Sequence, residues 1–118
     1  MKPLKVGIIS KEDFQKRALL IASGKYKPKP NEPKIWFSSV KSLAEVLNEN
    51  NMQLLKLIKT QNPNSIKELS QLSGRKSSNL SRTLKTLEKY SIIDLIKTKR
   101  EVKPIVKATD FNISLSVA

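Results

Sequence analysis

Histidine and cysteine are both absent from this 118-residue sequence, and it contains only three glycines. Without cysteine there is no disulfide framework and no thiolate metal site, so apolar packing alone must hold the fold. With so few glycines there is no Gly-rich loop to cradle a phosphate, and no group of carboxylates has metal-ligand spacing. Acids are scarce too, and Glu45, Glu49, Glu68 and Glu88 each read as surface or capping groups. No apolar run approaches the length of a membrane span, and the opening from Met1 to Val6 lacks the uncharged apolar core of a secretory signal. These absences point away from an enzyme, a cofactor and a membrane partner, and toward a soluble cytoplasmic protein.

What the chain has is positive charge: 23 Lys and Arg against 10 Asp and Glu, a net charge of +13. A polyanion is the natural partner, because each phosphate neutralised releases condensed counterions and adds salt-dependent affinity. The excess is not confined to a tail. Residues 1–35 hold nine basic and three acidic residues, 36–90 nine and four, and 91–118 five and three. Ribosome association and contact with anionic membranes fit the charge as well; the helical pattern tips the balance toward nucleic acid.

Residues 1–35 read as a strand-helix arm followed by a connector. Lys5 to Ile9 suits a short strand, and Ser10 can cap a helix with Asp13 three residues on. Phe14, Ala18 and Ile21 give that helix an apolar face, while Lys11, Lys16 and Arg17 stay wet; the helix should stop near Ser23-Gly24. Lys25 to Pro33, with three prolines, is expected to be extended and irregular, able to carry the arm away from its own body.

From residue 36 to 118 the pattern is that of one domain. Trp36 and Phe37 are expected to pack on the helix that Ser38 or Ser39 caps, whose stripe is Val40, Leu43, Ala44 and Leu47, or on a partner chain. Asn48-Glu49-Asn50 should break that helix before a second one over 51–60, with Leu54, Leu55, Leu57 and Ile58. Ser65 and Glu68 form a capping box for a third helix carrying Ile66, Leu69 and Leu72, and Ser73-Gly74 ends it. A fourth helix starts within Lys76 to Ser78 and runs to about Tyr90, with Leu80, Leu84 and Leu87 on one side. Ser77, Ser78, Ser81, Arg82 and Lys85 fall largely on the other; Asn79, on the flank, suits either a DNA contact or an early-helix backbone hydrogen bond. Ile92–Lys97 and Val102–Val106 read as a hairpin around the charged tip Thr98 to Glu101, either short or with Pro104 at an edge. Phe111 to Val117 alternates strictly, as a half-buried strand does, and such a strand needs a neighbour, which a dimer could supply.

Helix, short helix, Gly-containing turn, helix, then hairpin is the order of a winged helix-turn-helix, a mainly α fold (α+β) with a small β wing. In that arrangement Ser77, Ser78 and Ser81 would approach base edges closely, while Arg82, Lys85 and Lys76 would reach guanine edges or phosphates. A solvated helix face with ordinary basic residues is the competing reading.

The run Ser65 to Gly74 followed by Ser78 to Glu88 resembles the helix-turn-helix core of MarR-like and ArsR-like regulators. A longer resemblance runs from Phe37 to the last strand and is to the haloarchaeal-type family of small DNA-binding proteins, some encoded beside toxin-like partners. It implies that Ser78, Ser81, Arg82 and Lys85 occupy recognition-helix positions and that Lys99 and Arg100 occupy the wing. The family pattern has Gly after the recognition helix, where this chain has Tyr90-Ser91, and its wing tip has a glycine that Thr98 to Glu101 lacks. A looser exit from the helix and a wider wing loop are therefore expected.

The resulting expectation is a sequence-specific, double-stranded-DNA-binding transcriptional regulator, autoregulatory or antitoxin-like. It would act as a homodimer whose interface uses residues 6–21 and 111–117. A winged-helix protein-interaction module without its own operator is the alternative, and an RNA or ribosome binder the third.

Overall fold

The computed structural model describes residues 2–116; Met1, and Val117 and Ala118 of the expected last strand and domain, lie outside the described residues. In chain order the elements are β1 (Leu4–Ile8), α1 (Lys11–Ala22), β2 (Ile35–Phe37), α2 (Val40–Val46), α3 (Glu49–Gln61), α4 (Ile66–Ser73), α5 (Ser77–Lys89), β3 (Ile93–Lys97), β4 (Val102–Val106) and β5 (Phe111–Leu115). The described residues form an α+β fold with five helices, a three-stranded sheet in the order β2-β1-β5 and a two-stranded sheet β3-β4.

The helical body follows from its leucines. Leu69 of α4 and Leu80, Leu84 and Leu87 of α5 are fully buried, joined in one core by Leu54, Leu55 and Ile58 of α3 and by Ile92, Ile93 and Val106 around the hairpin. Side chains set the helix starts. Ser39 and Ser42 cap α2 reciprocally, Asn48 accepts from Asn51 N–H (2.8 Å) at the start of α3, and Ser65 accepts from Glu68 N–H (3.0 Å) at the start of α4. The expected break at Asn48 to Asn50 is thus a helix start: Asn48 is the cap, and Glu49 already lies in the first turn of α3. The expected box at Ser65 is only half formed, because the Glu68 carboxylate takes the N–H of Asn64 (3.2 Å).

Two expectations based on missing glycines are corrected. Ser91 adopts a left-handed φ of 61°, with Ser91 N–H on Glu88 O (3.0 Å) and Ile92 N–H on Leu87 O (3.0 Å). That is the paired closure usually built on glycine, and Gly24 supplies the same closure at the end of α1 with φ 76°. The exit from α5 is therefore tight, at the cost of a strained serine. The hairpin tip is also compact: Thr98 N–H donates to Glu101 O (2.8 Å), and Glu101 N–H donates to Thr98 Oγ1 (3.2 Å). Pro104 lies opposite Leu95 in a two-stranded sheet, where every strand is an edge.

The largest departure concerns the two ends of the described chain. β1 runs parallel to both neighbours, with Val6 beside Ile35 on one side and Ile113 on the other. The arm is not carried away by the connector. It returns to its own chain, where one edge of the alternating last strand finds a neighbour in β1. In this register Leu4, Val6, Ile8, Ile35, Phe37, Phe111, Ile113 and Leu115 share one face of the sheet. Val6 and Phe37 are buried against the body, and the Phe37 ring stacks on Tyr90 with centroids 4.4 Å apart. Ile113 and Leu115 overhang the body and are exposed. Val40 and Ala44, expected in the stripe of α2, are exposed as well, and Leu43 and Val46 are the residues that α2 buries.

On the opposite face Trp36 lies over Gly7, where an added Cβ would collide with the six-membered ring of the indole. Here α1 differs from its expectation: it buries no residue, and Phe14 and Ile21 of its expected apolar face are exposed. Arg17, expected to stay wet, is half-buried instead. Its guanidinium stands 5.3 Å from the Tyr26 ring centroid and 5.1 Å from that of Trp36, and it pairs with Glu32 at 2.9 Å. The Tyr26 hydroxyl donates to the other Glu32 oxygen. The connector is irregular, as expected, but this cluster pins it.

Candidate nucleic-acid interface

α5 divides cleanly into two faces. The Leu80, Leu84 and Leu87 side packs into the core, so the backbone orientation of the helix is set by burial. The outward side carries Ser78, Arg82, Lys85 and Lys89, all exposed, at successive spacings of four, three and four residues. Lys89 and the exposed Thr86 extend this face beyond the residues expected from sequence, although the spacing from Arg82 and Lys85 points to Lys89; Lys89 Nζ also stands over the Tyr90 ring at 5.6 Å. Glu88 is the one acid in this helix, and neither Arg82 nor Lys85 has an ion-pair partner among the described residues.

The start of α5 is chemically distinct. Side chains cap the other four helices, but Lys76, the N-cap here, makes no side-chain cap hydrogen bond, and the first turn holds no acid. Its free N–H groups are left to water or to an anion. Lys76, Ser77 and Ser78 are exposed around this end, whereas Ser81 is half-buried on the flank of the helix.

The approach to that end is rigid. Gly74 takes φ 74° as the C-cap of α4, the Ser70 hydroxyl donates to Arg75 O (2.6 Å), and Arg75 N–H donates to Ser73 Oγ (3.2 Å). Beside the turn lies an open cleft of about 720 Å³, lined by Asn48, Asn50, Asn51, Gln53, Arg75 and Asn79 together with Leu54, Leu57, Leu72 and Ser73. Asn79 is exposed and lines this cleft, and no early-helix backbone bond engages its side chain. Lys99 and Arg100 are exposed at the hairpin tip, and Lys103 of β4 ties the hairpin to the α3–α4 turn through Asn64 Oδ1 at 3.2 Å.

Among the described residues, no group of three or more His, Cys, Asp or Glu could hold a metal ion, and no helix is long and apolar enough to cross a membrane.

Fold and surface together define a small α+β protein that presents one basic, hydroxyl-rich helix from a leucine core. The model of the family described as HVO_A0114 matches residues 46–113, more than half of the sequence, and the chain belongs to that family. The matched stretch runs from the end of α2 through α3, α4, α5 and the hairpin into β5, and leaves out β1, α1 and β2. Comparison with curated proteins gives no match, nor does comparison with solved structures.

Proposed function

We propose that the chain is a sequence-specific double-stranded-DNA-binding transcriptional regulator of the winged helix-turn-helix kind, akin to MarR-like and ArsR-like regulators. In this reading α4, its turn and α5 are the helix-turn-helix, α5 enters the major groove, and the β3-β4 hairpin is the wing. Autoregulation or an antitoxin-like role in the cytoplasm, beside a toxin-like partner, follows as the biological setting.

The observation that carries the reading is the outward stripe of Ser78, Arg82, Lys85 and Lys89 on a helix fixed by three fully buried leucines. Short hydroxyls permit close approach to base edges, while the basic side chains reach phosphates and guanine. The uncapped start of α5 supplies further backbone donors for a phosphate. A protein-interaction module would need an apolar patch here, and none of the exposed large apolar side chains lies on α5.

Fluorescence anisotropy with duplex fragments from the protein's own locus, titrated across salt concentrations, tests the proposal. Arg82→Ala combined with Lys85→Ala should weaken binding at least tenfold and reduce the salt slope by about one unit for each phosphate that is no longer neutralised. A folded double variant with unchanged affinity and slope would overturn it.

A further inference from the structure

The described residues present four open strand edges: β2 and β5 on the three-stranded sheet, and β3 and β4 on the hairpin. Three of them carry features that discourage pairing with another chain. β2 is three residues long, β3 contains Asp94 and Lys97, and β4 contains Lys103 and Pro104. β5 has no such feature. Phe111 to Ser116 is free of charge and proline in a chain of net charge +13, and Ile113 and Leu115 are 52% and 60% exposed on it.

The backbone phase of this edge follows from the ladder. Leu4 N–H donates to Asp110 O (2.9 Å), so in a parallel ladder Asp110, Asn112 and Ser114 turn their backbone groups toward β1. Phe111, Ile113 and Leu115 then turn theirs outward, and the same three residues place their side chains on one face of the sheet.

We propose that β5 is a self-association edge at which two copies of the chain pair antiparallel about a two-fold axis through Ile113. The two sheets then become one of six strands. Ile113 meets the partner's Ile113, and Phe111 meets the partner's Leu115. All three outward-facing residues of each strand fall at hydrogen-bonded positions, which closes six backbone bonds and leaves no open edge between the copies. The overhanging Ile113 and Leu115 side chains cover one another. A second copy fits this edge because the strand is self-complementary under the two-fold and is where the like-charged chains repel least. The contact is narrow beside the roughly 1,600 Å² of a standard interface, so the dimer is expected to dissociate in the micromolar range. The pairing is independent of the DNA-binding reading, since no residue of α5 takes part.

Sedimentation velocity should show the wild-type chain passing from monomer to dimer as its concentration rises through tens of micromolar. Ile113→Lys combined with Leu115→Lys should remain monomeric with an unchanged circular dichroism spectrum. The sequence has no cysteine, so single cysteines report the register independently. Directly opposed hydrogen-bonded residues lie about 5.5 Å apart at Cα, within disulfide range. Ile113→Cys should therefore give a cross-linked dimer on mild oxidation, and Ser114→Cys should not. A wild-type monomer at hundreds of micromolar would overturn the proposal, as would a dimer that survives the two lysines, or equal cross-linking from both cysteine positions.

Discussion

The helical body and α1 use their apolar residues in opposite ways. Along α5, Leu80, Leu84 and Leu87 are spaced to fall on one side and are fully buried. Along α1, Leu19, Leu20 and Ile21 are consecutive, so they point in different directions, and all three are exposed. The body is held by packing. The α1 layer is held by the β1 ladders and by one polar cluster around Arg17. Apolar content alone therefore does not predict which helix stabilises a fold, and spacing alone does not either, since Phe14, Ala18 and Ile21 are also helically spaced and stay exposed; a spaced face stabilises only where a core lies opposite it.

The sharpest way to break this contrast is a matched pair of truncations. Leu84→Ala should cost about 2–5 kcal/mol in urea unfolding followed by circular dichroism, because it opens a cavity at a fully buried site. Leu19→Ala, at a residue 70% exposed, should change stability by no more than about 0.5 kcal/mol. Equal costs would mean that α1 is packed as tightly as the body.

Gly7→Ala probes the layer from its sheet side. The added methyl must displace the Trp36 ring, at an expected cost of about 1–3 kcal/mol. Trp36 is the only tryptophan in the sequence, so its emission should shift with the substitution and report the layer alone. A protein of unchanged stability and emission would show that the indole can leave Gly7 freely.

The smallest expected effect is electrostatic. The hydrogen bond from Tyr26, then that from Arg17, hold the Glu32 carboxyl below the usual carboxylate range. Its hydrogen bond to Glu32 raises the Arg17 guanidinium above its ordinary value. A carboxyl whose folded value is depressed contributes stability that is present above the unfolded value, about 4.3, and is lost as pH falls through the folded one. Trp36 emission should therefore change in a step on the acid side of that range while the helical signal of the body holds. Glu32→Gln should flatten the step; an unchanged step would assign it to another group.

The body was largely legible from sequence because its determinants are local. Ser65, Gly74 and the leucine spacing each act within a turn or two, and the structure has α4 and α5 where those signals put them. The three-stranded sheet was not legible. Nothing near Val6 specifies Ile113 as its neighbour, and strict alternation says that a strand needs a partner without saying which. Arg17 escaped for a related reason: the aromatic rings and the carboxylate that surround it come from Tyr26, Glu32 and Trp36, beyond its own helix. Ser91 shows the limit of treating glycine as a requirement, since packing on both sides of the turn holds a serine in the same geometry. On the candidate interface, the outward residues of α5 follow from spacing alone, and Lys89 continues the same row one turn past Lys85.

The ladder between β1 and β5 joins Leu4 to Phe111, more than a hundred residues apart. Closing so long a loop is slow compared with forming the α3–α5 body and its adjacent hairpin, whose contacts are near in sequence. During synthesis β1 emerges early and waits for its second neighbour until nearly all of the described chain has left the ribosome. Over that interval α1 and Trp36 rest on an unfinished sheet. The body, whose contacts are near in sequence, then serves as the template on which β1 is locked by β5.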